Sequence, residues 1–193
     1  GQLSVTLGLW GEPGVGKTTL AAQVLRDLPC DGRSVPARAT VQDLLAALPR
    51  PRSLPPSATA HLARLVASDV ADPSAAALTV AQVLSALAPF VLHVDDVHDA
   101  SEEDAARLVA LGWAVRRSRG VGLLATGRTA LPPPFRSQHL AAMTLDETSA
   151  LLERELGSLL PPDAVAWLHS RTGGNPLYAL EFTRFLTLSL IHI

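Results

Sequence analysis

Lysine, cysteine and aromatic residues are scarce in this sequence. Lys17 is the single lysine beside fifteen arginines, and aromatic residues make up 4% of the 193 residues. One cysteine, Cys30, cannot form an internal disulfide, which excludes a disulfide-rich secreted scaffold. A net charge of −2 provides no overall positive field for nucleic acid or an anionic membrane. We therefore expect a globular cytoplasmic protein.

Long apolar runs are also missing. The most apolar window, residues 75–94, is interrupted by Gln82, Pro89 and His93, so it predicts a helix followed by a buried strand and not a membrane span. The first residues lack the basic head and apolar stretch of a signal peptide. Apolar residues nevertheless make up 48% of the chain, which is enough for a packed core.

The single lysine lies in the most informative segment of the chain, Gly11-Glu12-Pro13-Gly14-Val15-Gly16-Lys17-Thr18. This segment follows the phosphate-loop pattern, in which glycines let backbone N–H groups point at phosphate oxygens. An ammonium is compact enough to lie along the loop and reach the β- and γ-phosphates, whereas a planar guanidinium is too wide. An apolar strand precedes the loop and a helix follows it, so the sequence predicts a nucleotide-binding site.

Strands and helices are predicted to alternate up to residue 143. Apolar runs predict strands at residues 3–10, 35–39, 90–94, 121–125 and 138–143, and helical spacing predicts helices at 18–28, 41–48, 57–68, 74–87 and 101–117. The continuous apolar run at 90–94 is typical of a parallel sheet. We expect an α/β nucleotide-binding domain with a parallel sheet over residues 1–143.

Only helices are predicted after residue 143. Thr144 and Glu147 form a capping box before a helix that Gly157 ends. A second helix is predicted at residues 162–170, and Asn175 as N-cap, followed by Pro176, opens a third. We expect residues 144–187 to form the first part of a small helical lid domain.

The last six residues, 188–193, differ in composition from the rest. Both isoleucines of the chain lie at positions 191 and 193, although the remaining sequence avoids residues with AT-rich codons. We expect a non-native tail, with the true reading frame continuing differently after Thr187. The alternative is a naturally apolar helix end.

Two aspartates follow the predicted strand at residues 90–94. Asp95 offers the hard oxygen ligands that Mg²⁺ prefers near bridging phosphates. Because adjacent side chains at a strand end point apart, Asp96 is expected to orient or deprotonate an attacking water. A turn cap is the alternative for Asp96. Many such hydrolases have Glu at this position, and the shorter Asp predicts slow turnover.

Thr126 and Arg128 follow the next strand, where side chains of a parallel sheet face the γ-phosphate. A fixed cation at Arg128 distinguishes ATP from ADP, and the alternative is a surface arginine in a turn. His93 and His98 bracket the two aspartates. We expect packing and supporting roles for both histidines, because a strand supplies at most alternate side chains to one metal site.

Four motifs, taken in order, resemble a known class of protein. They are the Walker A loop at 11–18, the Walker B run at 92–98, the segment Ala125-Thr126-Gly127-Arg128, and the segment Thr172-Gly173-Gly174-Asn175-Pro176-Leu177. The chain resembles the signal-transduction ATPases with numerous domains (STAND), a class of P-loop NTPase. Within that class it is most similar to the AAA-like ATPase module of large ATP-binding LuxR-type bacterial transcriptional regulators. The resemblance covers nearly the whole chain.

The resemblance implies a P-loop NTPase fold of three α/β/α layers that binds ATP or ADP with Mg²⁺. The implied nucleotide-binding residues are Gly11, Glu12, Pro13, Gly14, Val15, Gly16, Lys17, Thr18, Thr19, Asp95 and Pro176. Pro176 would contact the adenine, and Thr18 and Asp95 would hold the metal. Lys17, Asp96 and Arg128 would be catalytic, with Asp96 activating water and Arg128 sensing the γ-phosphate.

The implied function is an ATP-binding and slowly hydrolysing switch in a multidomain transcriptional regulator. Self-association in the ATP state is an expected property, and DNA contact is expected only through a C-terminal domain outside this sequence. The same module attached to a cyclase or kinase output stays open. A small-molecule phosphotransferase is a weaker alternative, because the insert at 49–87 holds only Arg50, Arg52 and Arg64 for an acceptor lid.

Overall fold

The computed structural model describes residues 4–67 and 72–191. The strands are β1 (Val5–Trp10), β2 (Asp31–Pro36), β3 (Phe90–Asp95), β4 (Val121–Gly127) and β5 (Arg136–His139). The helices are α1 (Lys17–Asp27), α2 (Val41–Ala47), α3 (Pro56–Ala67), α4 (Pro73–Leu87), α5 (Glu102–Val115), α6 (Leu145–Leu156), α7 (Pro162–Thr172) and α8 (Pro176–Ile191). A short 3₁₀ helix lies at Val97–Asp99.

The five strands form one parallel sheet in the order β2-β3-β4-β1-β5. Helices connect the successive strands β1 to β4, as parallel pairing requires. The predicted parallel α/β fold is therefore confirmed. Because β3 and β4 are parallel neighbours, the residues at their carboxyl ends lie at the same edge of the sheet.

The main core lies on one face of the sheet. Alternate residues of β3 and β4 point to this face because side chains alternate along a strand. These residues and the inward faces of α4 and α5 are buried together, and the set includes Phe90, Leu92, Val94, Val121, Leu123, Ala125, Val80, Leu84, Leu111 and Val115. Alanine and leucine residues of α4 that recur at helical spacing lie on the face that packs in this core.

Two strands differ from their predicted positions. The second strand was expected at residues 35–39 but runs from Asp31 to Pro36, in register with all of β3. Its first residues carry little apolar signal, and pairing with a buried neighbour places them in the sheet. The last strand was expected at 138–143 but is β5, at the sheet edge beside β1.

Local signals set the helix ends correctly. Ser101 caps α5 by accepting a hydrogen bond from the Asp104 N–H, and Thr144 with Glu147 forms the expected capping box of α6. Gly157 ends α6 in the left-handed conformation. Leu152, Val165, Leu168 and Ala179 from α6, α7 and α8 form a second, smaller core.

Two compact units divide the chain. One comprises the described residues of Gly1–Trp10 and Thr18–His139, and the other comprises Gly11–Lys17 and the described residues of Leu140–Ile193. The phosphate loop thus groups with the helices α6, α7 and α8. The domain boundary between residues 143 and 144 stays a prediction.

The expected non-native tail at 188–193 falls only partly on described residues. Positions 188–191 belong to α8, and residues 192 and 193 lie outside the described part of the chain. The helix expected at 57–68 ends at Ala67, and its last expected residue is also outside that part. None of the described helices has both the length and the apolar character that crossing a membrane requires.

Candidate nucleotide-binding site

The phosphate loop connects the end of β1 to the first turn of α1. Gly14 and Gly16 have φ angles of 79° and 100°, in the region that disfavours side chains. A Cβ at Gly14 would also lie 2.8 Å from the Asn175 Oδ1 atom. These glycines therefore allow the tight backbone path of a loop that directly precedes the N-terminus of α1, and helix N-termini favour anions.

The Lys17 ammonium lies along this loop. Its Nζ atom donates hydrogen bonds of 2.9 Å to the Gly11 and Glu12 carbonyl oxygens. The lysine is 7% exposed, so its charge is held close to the loop backbone and not in open solvent. An ammonium in this position matches the compact charge that the sequence predicts for phosphate binding.

The start of α8 is bonded directly to the phosphate loop. The Asn175 Nδ2 atom donates to the Pro13 carbonyl oxygen at 2.8 Å, and the Leu177 N–H donates to the Gly14 carbonyl oxygen at 3.3 Å. The Asn175 Oδ1 atom also accepts from the Leu177 N–H at 3.1 Å. Sequence analysis assigned Asn175 only an N-cap role, because its contact with Pro13 spans 162 residues.

Pro176 is the first residue of α8 and is partly buried. Its expected contact with adenine stays a prediction. Thr19, in the first turn of α1, is exposed, and its expected contact with the nucleotide likewise stays a prediction.

Asp95, at the end of β3, accepts hydrogen bonds from side chains of two other elements. The Thr18 Oγ1 atom donates to its Oδ1 atom at 3.1 Å, and the Thr126 hydroxyl donates to the same oxygen. The strand prediction placed Thr126 just past the end of β4. The strand instead extends to Gly127, and the Thr126 side chain is buried against Asp95.

Asp96 lies directly after the end of β3. Its backbone does not continue the extended conformation in which side chains alternate between the two faces of the sheet. Its φ and ψ are 56° and 51°, and among the described residues it is the single non-glycine with a positive φ. Its N–H donates to the Asp95 Oδ1 atom at 3.1 Å and to the Thr126 Oγ1 atom at 3.3 Å. The expectation of simple strand alternation is thus wrong at Asp96, because these two bonds hold the left-handed turn.

The Asp96 carboxylate remains accessible. Its side chain is 53% exposed and forms no capping hydrogen bond with the following 3₁₀ helix. The His98 Nδ1 atom lies 3.9 Å from its Oδ1 atom, and the His98 Nε2 atom lies 3.4 Å from Asp99. A carboxylate exposed in this way can accept a proton from water, whereas the alternative role of turn cap finds no support.

Arg128 is the first residue after β4 and is exposed. Within residues 4–67 and 72–191, its guanidinium forms no hydrogen bond or ion pair. The position suits an expected sensor and a surface arginine equally, and its role stays a prediction.

His93 is a buried neutral group and does not belong to a metal cluster. Burial lowers the pKa of His93 below its ordinary value of 6.5, although the charges of Asp95 and Asp96 act in the opposite direction. In the part of the chain that the structure describes, no group of three or more His, Cys, Asp or Glu side chains is arranged to hold a metal ion. The imidazole therefore supports its neighbours by hydrogen bonding.

Comparison with known proteins agrees with this geometry. A parallel α/β fold with a glycine-rich loop between its first strand and helix defines a P-loop ATPase module. A family model described as the AAA ATPase domain matches residues 4–124, more than half of the chain. The chain belongs to this AAA ATPase domain family. No curated protein matches the chain significantly.

Solved structures similar to the chain share its fold. One is a signal transduction ATPase with numerous domains and a tetratricopeptide repeat sensor from Pyrococcus horikoshii, with 16% identity and a TM-score of 0.60, covering 91% of this chain and 26% of that one. Two variants of Thermotoga maritima RuvB have 17% identity and a TM-score of 0.57, covering 95% and 97% of this chain and 53% and 57% of theirs. The chain thus spans about a quarter of the first protein and just over half of RuvB.

Proposed function

We propose that this chain is the Mg²⁺-ATP-binding, slowly hydrolysing switch module of a multidomain bacterial transcriptional regulator. The observation that carries the proposal is the pair of hydrogen bonds from Asn175 and Leu177 to the carbonyls of Pro13 and Gly14. A loop that changes shape when it binds phosphates changes these contacts with the start of α8. Nucleotide state is thereby transmitted to the helical segment.

Phosphate binding rests on the loop residues. In this proposal the Lys17 ammonium exchanges its bonds to the Gly11 and Glu12 carbonyls for contacts with the β- and γ-phosphates. The backbone N–H groups around Gly14 and Gly16 bind the same oxygens. Pro176 contacts the adenine.

The residues present also fit Mg²⁺. Thr18 Oγ1 and Asp95 Oδ1 are hard oxygen ligands 3.1 Å apart, and Thr18 directly follows the phosphate-binding lysine along α1. Bound Mg²⁺ neutralises charge on the phosphate oxygens. Asp96 orients the attacking water and accepts its proton, and Arg128 contacts the γ-phosphate. Because Asp is shorter than the Glu common at the Asp96 position, turnover is slow.

The output of the switch is the second part of the proposal. The chain spans only part of its structural relatives. In this proposal, DNA contact belongs to a domain outside this sequence. Self-association in the ATP state, a cytoplasmic location and the absence of a membrane partner complete it. A cyclase or kinase output on the same module is the main alternative, and a small-molecule phosphotransferase is a weaker one.

Calorimetric titration with ATP and ADP, with and without Mg²⁺, tests the proposal together with a phosphate-release assay. Wild-type protein is expected to bind both nucleotides and to release phosphate slowly. The Lys17→Ala variant is expected to bind neither, because the loop loses its only cation that reaches the phosphates. Circular dichroism of the variant controls for folding.

Two results would contradict the proposal. If folded wild-type protein shows no heat of binding with either nucleotide, the proposed nucleotide-binding site is wrong. Rapid multiple-turnover phosphate transfer to a small metabolite would favour the phosphotransferase alternative.

A further inference from the structure

A chain of side-chain hydrogen bonds crosses three strands of the sheet and ends on Asp95. The Ser34 Oγ atom of β2 lies 2.8 Å from the His93 Nδ1 atom of β3, and the His93 Nε2 atom lies 3.3 Å from the Thr126 Oγ1 atom of β4. The Thr126 hydroxyl then donates to the Asp95 Oδ1 atom. We call Ser34, His93 and Thr126 the positioning chain.

The sheet register brings these side chains together. Ser34 is the direct cross-strand partner of His93, and Val94 is the partner of Ala125, so Asp95 and Thr126 come next on adjacent strands. His93 and Asp95 are two residues apart on β3 and therefore lie on the same face. The parallel pairing of β2, β3 and β4 therefore brings the Ser34 hydroxyl and the Asp95 carboxylate into one chain of hydrogen bonds.

Donor counting fixes the direction of every bond in the chain. Thr126 has one hydroxyl proton, which it donates to the Asp95 carboxylate, so its oxygen accepts from the Asp96 N–H and from His93. His93 therefore carries its proton on Nε2. Its Nδ1 atom is then an acceptor, and the Ser34 hydroxyl donates to it.

Two of the three side chains in the positioning chain are buried. The His93 and Thr126 side chains are 1% and 0% exposed, so their contact is shielded from solvent, whereas Ser34 lies at the exposed end of the chain. Among the polar side-chain atoms of the positioning chain, none is left without a hydrogen-bond partner.

We propose that Ser34 and His93 are positioning residues that, through Thr126, hold the Asp95 carboxylate in the orientation that binds Mg²⁺. The proposal rests on the proposed function only in assigning the metal to Asp95. Groups that orient metal ligands typically change metal affinity by about 10- to 100-fold when removed. The phosphate loop does not depend on them.

Long-range ¹H–¹⁵N NMR of the histidine rings tests the bond order without any ligand. His93 is expected as a neutral ring with a protonated Nε2 and a bare Nδ1, assigned by the loss of its signals in His93→Gln. Ser34→Ala should shift the Nδ1 resonance because it removes the donor. A His93 ring protonated on Nδ1, or one unaffected by Ser34→Ala, would overturn the proposal.

Metal titration tests the consequence for Asp95. Thr126→Val keeps the shape of the side chain but removes its hydroxyl, and it should weaken Mg²⁺ binding to the ATP complex about 10-fold or more. ATP affinity measured in EDTA should stay within about two-fold, since the loop holds the phosphates. Manganese EPR gives the same comparison without relying on turnover.

Matched controls separate positioning from stability. Thr79→Val removes a buried hydroxyl that bonds only the Ala75 carbonyl within α4, and it should leave Mg²⁺ affinity unchanged. Ser118→Ala is the corresponding control for Ser34→Ala. His93→Gln keeps an N–H donor for Thr126 and should retain more Mg²⁺ affinity than His93→Leu.

The outcomes distinguish this inference from the proposed function. If wild-type protein binds no nucleotide, the proposed function fails, while the NMR result still decides the bond order. If wild-type protein binds Mg²⁺-ATP but Thr126→Val loses no more Mg²⁺ affinity than Thr79→Val, the positioning chain is wrong.

Discussion

Arg128 is the exposed side chain with the most specific expected role, which is to sense the γ-phosphate. It directly follows β4, whose penultimate residue Thr126 bonds Asp95, so its backbone lies two residues beyond the hydrogen-bond partner of the proposed metal ligand. In the proposed function, this cation gains a partner only when a γ-phosphate is present. Discrimination of ATP from ADP by Arg128 is therefore a prediction at the scale of a single residue.

The Arg128→Ala variant is expected to weaken ATP binding about tenfold or more, the scale of one lost hydrogen bond between charged groups. ADP affinity should change little. Calorimetry with both nucleotides measures the difference, and Arg119→Ala, at an exposed arginine in the turn between α5 and β4, is the matched control. Equal losses of ATP and ADP affinity would reject the sensor role.

A role could be assigned to a residue from sequence alone where its side chain has one plausible chemical use within its motif. Lys17 and Asp95 were assigned from their motifs, and their phosphate and metal roles stay predictions. In the structure Lys17 Nζ donates to the Gly11 carbonyl and Asp95 accepts from Thr18. Asp96 shows the limit. Its left-handed backbone is held by Asp95 and by Thr126, thirty residues away, and no local pattern specifies that contact.

At the scale of elements, the helix α6 shows how a local motif sets a helix end. The Thr144 N–H donates to the Glu147 carboxylate at 2.7 Å, and the Glu147 N–H donates to the Thr144 hydroxyl at 3.3 Å. Hydrogen bonds from the Thr144 backbone N–H and from its hydroxyl lower the pKa of Glu147 below its ordinary value of 4.5. The ionised carboxylate thus stabilises the folded helix.

This shift predicts a pH dependence of stability. Because the pKa of Glu147 is lower in the folded state, its contribution is complete above 4.5 and is lost as the pH falls through the folded value. Glu147→Gln resembles the protonated form, so its urea midpoint should lie below that of wild type at neutral pH.

The difference in midpoint should shrink as the pH falls below 4.5. Helical circular dichroism during urea unfolding measures it, and Glu153→Gln on the same helix is the control. A difference between wild type and Glu147→Gln that does not change with pH would contradict the assigned cause.

Strand elements were predicted less well than helices. The second strand was displaced because Asp31, Gly32 and Arg33 have no apolar signal, and their place in the sheet comes from pairing with β3. The helix caps were predicted correctly because all of their atoms lie within four residues of one another.

At the scale of the whole molecule, the question is how the presence of ATP or ADP at the phosphate loop would affect other parts of the protein. The phosphate loop groups with α6, α7 and α8, and Asn175 bonds both the loop and its own helix. The chain spans about a quarter of the similar STAND protein. If the proposed switch operates, Asn175 is the residue at which its transmission can be interrupted.

Asn175→Ser tests this transmission. Serine keeps an N-cap oxygen for the Leu177 N–H but is too short to donate to the Pro13 carbonyl. Hydrogen exchange measured by mass spectrometry should show that Mg²⁺-ATP protects both the phosphate loop and the start of α8 in wild type. In the variant, the loop should gain protection and α8 should gain little.

Asn175→Ala removes both bonds and should in addition destabilise the helix by about 1 kcal/mol, the usual cost of a lost N-cap. Comparison of the two variants separates capping from transmission. Full nucleotide protection of α8 in Asn175→Ser would show that the bond to Pro13 carries no signal.

The sequence by itself determined the place of the phosphate loop between the first strand and the first helix, the succession of strands and helices and the capped helix ends. Each depends on groups close along the chain, whose spacing fixes the contacts they form. Only the tertiary structure decided the left-handed turn at Asp96, the bond between Asn175 and Pro13, and the contacts that connect Ser34 through His93 and Thr126 to Asp95. These contacts join residues far apart in sequence, and strand register and helix packing bring them within hydrogen-bonding distance.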